Sequence, residues 1–505
     1  MSTAHVVQER ENIVREIQTA LRHTAVYGIG SIVIKALGFF MLPFYTHYLT
    51  PGDYGLLEIL DLSMSLFGMV LHMGIAPALL RAYTAAGTVE EKKRTVSTAF
   101  LFVSGTGLIV FFAGIGLVRP ASHMLFGPQV SSIYLFLSFS SFVLSYLGTM
   151  PRAYLRALEA SGRFTLLESG SLLAMLALNV YFIAVLRLGV MGILWSSLIV
   201  NGIQAVWLSG WMIRATGVGF SKARLRQMVA FGLPLIFSNV SLFALNFSDR
   251  FFLQRFGSLE AVGIYAVGYK LAFMLNYLLV QPFHAMWQTR MYLIHARPEH
   301  PKIFNQIFVL YSLVLIYAAL ALSVFSPEIV TVMTARNFRA GQAVVPLVAL
   351  AYVFYGIGLY LQLGMFLAEK TKAIGAVGAA AAVLNLALNY FLIQEFGMHG
   401  AAWATVAGFL VIAGGSYWCS QRALPLALGV RRVALALGIG TILYIVSRTV
   451  LPSAAGPAVG VKFVYLLLFP VLVWRMRILS PSEISTLLSA RNKTAARFAV
   501  GAVKS

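Results

Sequence analysis

Apolar residues run along this chain in long continuous stretches rather than in alternation or in narrow helical stripes. Fourteen stretches are long enough to cross the roughly 30 Å of bilayer hydrocarbon as helix. They fall at 25–49, 56–80, 96–118, 132–150, 166–186, 190–213, 228–254, 260–281, 303–325, 343–367, 374–393, 398–420, 432–450 and 457–474. A transmembrane barrel would show segments of about ten residues alternating polar and apolar, whereas these are continuously apolar and rich in Gly and Ala, as packed helices in lipid are. The pattern predicts an all-α integral membrane protein. Before the first stretch, Val14, Ile17 and Leu21 repeat at helical spacing, which fits an amphipathic helix on the membrane face or a solvated one. No short apolar core with a small-residue cleavage site precedes it, so the first span is read as the insertion signal. At the other end, "SPSEISTLL" places Ser480 as an N-cap, Pro481 at the first helical position and Glu483 three residues past the cap.

The pattern repeats. "LALNVYFIAVLRLGVMG" from Leu176 returns as "LALNYFLIQEFGMHG" from Leu386. Glu159 and Glu369 are related by the same offset as Asn179 and Asn389, and "YLTPGDYGLL" around Gly55 matches "FGSLEAVGIY" around Gly263 at an offset two residues shorter. Six spans per copy is an even number, so the second copy enters the membrane from the side where the first began. The repeats are therefore parallel, an architecture that favours a cavity between two lobes and alternating exposure by rocking. A duplication retained only for packing is the other reading. The expected domains are an amphipathic segment at 1–24, an N-lobe at 25–214, a C-lobe at 228–420, two additional spans at 432–475 and a tail at 476–505.

Composition agrees with the pattern: 59% of residues are hydrophobic, 11% are charged, and mean hydropathy is +0.82. Formal charge is +21, which raises the question of nucleic acid. With the N-terminus assigned to the cytoplasm, 28 Lys and Arg residues fall on the cytoplasmic side, seven fall on the other, and Lys35, Arg250 and Lys270 lie inside spans. This asymmetry is that of the positive-inside rule, so the basicity is topological and no basic soluble domain remains to bind nucleic acid. The reading is a multi-pass protein of the cytoplasmic (inner) membrane with both termini inside. The single cysteine, Cys419, excludes an intramolecular disulfide and a cysteine metal cluster. No loop exceeds about twenty residues, which leaves the bundle itself to act.

Three segments, "GFFMLPFYTHYLTPGDYGLLEI", "NFSDRFFLQRFGSLEAVGIYAVGYKLA" and "LNYFLIQEFGMHGAAWAT", resemble in order and spacing the polysaccharide transporter family. That family belongs to the multidrug/oligosaccharidyl-lipid/polysaccharide flippase superfamily, which includes Wzx-type flippases of lipid-linked oligosaccharides. The likeness runs over essentially the whole chain. It departs at His47, where the family commonly has Arg, and at His72, where an acid is common. The resemblance implies a transporter rather than an enzyme, driven by an ion gradient or membrane potential. The implied partners are a lipid-linked oligosaccharide, membrane lipids and polysaccharide polymerase or ligase machinery. No Walker-type phosphate loop is present, and no cofactor or metal is expected.

A charge near the bilayer centre costs at least ~2.5–3.5 kcal/mol on insertion scales, so each intramembrane charge is a candidate. Lys35 and Lys270 lie deep in their spans, and either a cavity or a partner carboxylate would account for them. Arg250 is shallower, so snorkelling competes. Asn239, Asn246 and Arg250 fall seven and then four apart, giving one helix a polar face suited to substrate or to packing. Asp249 is expected to point away from Arg250, since adjacent helix positions diverge by about 100°, and to pair across helices. Glu58 and Asp61 share a face, and Asp61 overlays within a residue of Lys270 in the repeat, suggesting a salt bridge that closes the outer mouth. His72 and His284 could couple to protons or simply be satisfied within the bundle. The substrate-binding candidates are thus Lys35, Lys270, Arg250, Asn239 and Asn246, and the gating or coupling candidates Glu58, Asp61, Asp249 and His72. The functional expectation is a flippase moving polyprenyl-diphosphate-linked oligosaccharide to the outer leaflet through a basic cavity. A peptidoglycan-precursor flippase and a drug/cation antiporter are alternatives; antiport would favour acids in the cavity. A membrane-embedded sugar polymerase or ligase would need a large outer loop and convergent catalytic groups, and neither is present.

Overall fold

The computed structural model describes residues 41–450 and 457–479. The amphipathic segment, most of the first expected span with Lys35, and the tail cap at Ser480 lie outside the described residues. Within them the protein is helical throughout, with no strand. Among the described residues, ten helices are long and apolar enough to cross a membrane, or up to eleven if Lys222–Pro234 and Asn239–Phe256 count as one bent span. The protein is a multi-pass membrane protein of the all-α class.

The chain divides into two compact units, the break falling between Phe243 and Ala244. Unit 1 contains α1 (Leu42–Tyr48), α2 (Pro51–Leu71), α3 (Ile75–Ala85), α4 (Val89–Ile115), α5 (Val118–Phe126), α6 (Ile133–Leu147), α7 (Thr149–Ala157), α8 (Ser161–Val180) and α9 (Val190–Thr216). The next helix, α10 (Lys222–Phe256), carries the division between units. Unit 2 continues with α11 (Leu259–Leu275), α12 (Gln281–His295), α13 (His300–Val324), α14 (Ser326–Met333), α15 (Val345–Leu361), α16 (Leu363–Leu367), α17 (Thr371–Ala423), α18 (Val430–Val450) and α19 (Pro457–Arg475). Unit 1 is held by a cluster of Ile75, Leu79, Val96, Phe100, Tyr146, Met150 and Met212, all buried. In unit 2, α19 is tied down where Lys462 Nζ meets Glu328 Oε1 of α14 at 2.5 Å.

The repeat read from sequence is a repeat of local structure. Thr50 caps α2 with a full capping box: its Oγ1 accepts from Asp53 N at 3.2 Å, and Asp53 Oδ2 accepts from Thr50 N at 3.1 Å. Its counterpart Ser258 caps α11, accepting from Ala261 N at 3.1 Å. Both following spans are interrupted, the first at Met73 and Gly74, which have positive φ, and the second by a π-helical turn at Asn276–Val280. Glu159 and Glu369 both adopt positive φ, 54° and 56°. Asn179 and Asn389 are both buried.

Gly189 (φ 56°, ψ −131°) and Gly397 (φ 52°, ψ −127°) share a conformation closed to side chains other than hydrogen. At Gly397 two helices meet, so the 53-residue α17 comprises two helical segments. Between Asn and Gly the first copy has two more residues than the second, and it alone forms a π-helical turn there, Tyr181–Val185. The wider turn takes up inserted residues without breaking the helix.

Candidate functional site

Unit 1 carries an open cavity of about 750 Å³. Its wall comes from α2, α3, α6, α9 and the N-terminal part of α10: Asp61, Ser65, His72, Ser138, Ser141, Ser145, Ser197, Asn201 and Asn239 supply polar groups among Met64, Met69, Phe142 and Leu194. Helical spacing explains the convergence. Ser138, Ser141 and Ser145 recur at three and four residues on α6, and Leu194, Ser197 and Asn201 do so on α9, so each helix turns one stripe inward. Asn201 Nδ2 donates to Ser141 Oγ at 2.9 Å, fastening the two stripes together. His72 has both ring nitrogens engaged, Nδ1 with the Gly68 carbonyl at 2.5 Å and Nε2 with Thr149 Oγ1 at 3.3 Å, and its ring stands edge-on to Tyr146 at 5.0 Å. The interruption at Met73 and Gly74 follows directly, placing His72 at the end of α2.

Three of the sequence candidates, Asp61, His72 and Asn239, therefore meet in one cavity. The lining holds no Lys or Arg among its described residues, and Lys35, the lysine expected in this half of the chain, lies outside them. Glu58 is 8% exposed and buried within the unit, whereas Asp61 is exposed. Three helical positions leave about 60° between side chains, enough to send one inward and the other to the cavity.

Unit 2 gathers the next candidates elsewhere. Arg250 and Asp249 are buried, 1% and 2% exposed, and pair with each other, Nη1 to Oδ1 at 2.6 Å. This corrects the expectation that neighbours on a helix point apart. The 100° divergence applies where side chains leave the backbone, and the long arginine folds back over it. Asp249 does also reach across helices, its Oδ2 accepting from Tyr265 OH at 2.5 Å. Arg250 donates a further bond to the Asn246 carbonyl at 2.6 Å and lies over the Tyr269 ring, with Cζ 3.8 Å from the centroid. Tyr352 OH donates to Asn246 Oδ1 at 2.9 Å and shares a 2.8 Å bond with Tyr269 OH. Arg250 is thus neither snorkelling nor lining an open cavity in this conformation. It is the centre of an internal network in which every aromatic partner went unread in the sequence.

Beside that network, Asn389 Nδ2 donates to Asn385 Oδ1 at 3.0 Å and to Ser248 Oγ at 3.3 Å. The Asn of the duplicated phrase is therefore a buried helix-to-helix polar contact, and in unit 1 its counterpart Asn179 donates to Tyr45 OH at 2.8 Å. Lys270 is the one exposed residue of positions 262–276. Lys35 lies outside the described residues.

Comparison with known proteins places the fold. The fold matches the lipid II flippase MurJ in an inward closed conformation, with a TM-score of 0.71 and 13% identity, over 90% of this chain and 100% of that one. It also matches an inward-facing multidrug resistance MATE family transporter of the MOP superfamily, with a TM-score of 0.62 and 13% identity, over 77% and 93% of the respective chains. In sequence, the chain is 25% identical over 262 residues to Lsg locus putative protein 1 of Haemophilus influenzae, an alignment taking in 50% of this chain and 62% of that protein. Residues 20–287 match the family described as polysaccharide biosynthesis protein. A match over more than half its length shows that the chain belongs to the polysaccharide biosynthesis protein family.

Proposed function

We propose that the protein is a flippase that moves a polyprenyl-diphosphate-linked oligosaccharide from the cytoplasmic to the outer leaflet of the inner membrane for surface polysaccharide synthesis, by alternating access. The observation that carries this reading is a cavity of about 750 Å³, walled by hydroxyl and amide groups, inside the spanning helices of a polysaccharide biosynthesis family member. A diphosphate and many sugar hydroxyls cannot enter hydrocarbon unaided, because each unpaired polar group costs several kcal/mol there. Five serines and two asparagines on the cavity wall offer replacement hydrogen bonds for neutral sugars. Asp61 can accept two hydroxyl donors at once. Lys270, exposed within its span, is the described cation best suited to the diphosphate, with Lys35 a second candidate by sequence.

Asp61 on the cavity wall also favours a second reading, drug/cation antiport, since a carboxylate would attract an organic cation. Deletion of the gene separates the two. Under the first reading the complete lipid-linked unit accumulates and is shielded from a membrane-impermeant glycan-modifying reagent on spheroplasts, while drug sensitivity is unchanged. Complementation with Lys270→Ala should leave translocation lowered about tenfold or more, because a hydrogen bond to a charged group is worth ~1.5–3 kcal/mol. A sugar unit that reaches the outer face but stays unpolymerised would sink the flippase reading.

A further inference from the structure

Unit 1 has a second hollow, an apolar groove of about 590 Å³ between α8 and α9. Leu166, Leu167, Ile203, Trp207 and Trp211 line it, and Arg163 stands at one end. Leu166, Ile203 and Trp207 are each more than 60% exposed, and exposed apolar surface on a spanning helix faces hydrocarbon. One helix separates this groove from the polar cavity: Leu194, Ser197 and Asn201 of α9 line the cavity, while Val200, Ile203, Gln204 and Trp207 line the groove. The partition is completed by Arg152 of α7. Its Nε donates to Glu168 Oε1 of α8 at 2.9 Å, its Nη1 reaches the carbonyl of cavity residue Ser145 at 3.4 Å, and its Nη2 donates to Gln204, which in turn donates to Ser171. Both Gln204 and Ser171 line the groove. A guanidinium therefore sits between a compartment suited to sugar and one suited to hydrocarbon.

We propose that the groove holds the isoprenoid tail of an anionic lipid-linked sugar, and that Arg152 guards a lateral passage from groove to cavity. The proposal rests on the flippase reading and adds a route to it. Arg163 marks the end of the groove where an anionic headgroup is drawn in. Arg152 then exchanges the Glu168 carboxylate for the diphosphate, one anion for another, and its planar fork suits both partners. As Arg152 turns, Gln204 and Ser171 are released, and the sugar passes into the cavity while the tail remains in lipid.

Site-specific photo-crosslinking tests this in the full chain, reconstituted in proteoliposomes with radiolabelled undecaprenyl diphosphate N-acetylglucosamine. A photoreactive side chain replaces Ile203 in the groove, Ser197 in the cavity, or Val206, which is 77% exposed and lies outside the groove lining. The expected result is several-fold stronger labelling from position 203 than from 206, with labelling from 197 as well. Arg152→Gln should keep the signal at 203 and lose that at 197. The double variant R152Q/E168Q, which leaves no unpaired charge and is checked for a monodisperse gel-filtration profile, should behave likewise. Equal labelling at 203 and 206 overturns the groove, and unchanged labelling at 197 in both variants overturns the passage. Translocation intact with position 203 no better than 206 would remove this route and leave the flippase standing. A failed accumulation test with strong labelling at 203 would remove the flippase and keep the lipid groove.

Discussion

At the scale of single residues, the Asp249–Arg250 pair shows what burial demands of charge. Both are buried in unit 2 with the contacts described above, so removing one partner leaves the other charge uncompensated, which costs about 3–5 kcal/mol. Asp249→Asn is expected to lower the thermal stability of the purified protein sharply. The double variant D249N/R250Q should lie closer to wild type than either single variant, because neutralising both ends removes the stranded charge. Equal losses in single and double variants would mean that packing rather than charge pairing carries the effect. Lys270→Ala removes a side chain that is exposed within its helix, and thermal unfolding measured beside translocation separates a transport defect from a loss of stability. Charged and amide residues were legible because each is anomalous in an apolar run, and Asp61, His72 and Asn239 do converge. The cavity serines were not legible. A serine in a membrane helix can bond back to the carbonyl one turn earlier, as Ser171 does to Leu167 O at 2.6 Å and Ser196 to Gly192 O at 2.8 Å, so nothing in the sequence separates a lining serine from a packed one. Arg152 follows the end of an apolar run, where nothing in the sequence shows that it bonds to Glu168 and Gln204 of the neighbouring helices.

At the scale of elements, the repeat was legible because duplicated turns keep their chemistry while helix faces drift. Caps at Thr50 and Ser258, positive φ at Glu159 and Glu369, and the glycine turns at Gly189 and Gly397 are all positions where the backbone restricts the side chain. Helix surfaces carry no such restriction, which is why the buried tyrosines of unit 2 could not be foreseen by overlaying the halves. The turns make opposite predictions within one copy. Gly397→Ala forces a Cβ into a backbone region open only to glycine and should cost roughly 1–3 kcal/mol. Glu369→Gly relieves a left-handed conformation that costs a side-chain-bearing residue about 1–2 kcal/mol, and after the entropy of the added glycine should stabilise by roughly 0.5 kcal/mol. Thermal unfolding of the two variants in the same detergent checks the signs. Destabilisation by both would mean that the Glu369 side chain makes a contact worth more than the strain.

At the scale of the whole molecule, charge and repeat in the sequence together predict an orientation that a topology experiment can check. A six-span repeat is expected to give both copies the same sidedness, and the 28 to 7 distribution of Lys and Arg predicts the cytoplasm for the face bearing Arg156, Arg163 and Lys370. The face bearing Arg187 and the Gly189 turn is then expected outside. Alkaline phosphatase, active only after export, should be active when fused after Leu188 and inactive when fused after Glu159, with a cytoplasmic reporter giving the opposite pair. The same pattern should recur one repeat later, active after Phe396 and inactive after Glu369. This orientation bears on direction as well as topology. Arg163 lines the apolar groove and lies two residues into α8, so in this orientation the proposed lipid-linked sugar, assembled in the cytoplasm, would meet the groove at the leaflet where it is made. Activity after Glu159 instead of Leu188 would place that end of the groove outside, and substrate loading through it could then run only from the outer leaflet inward.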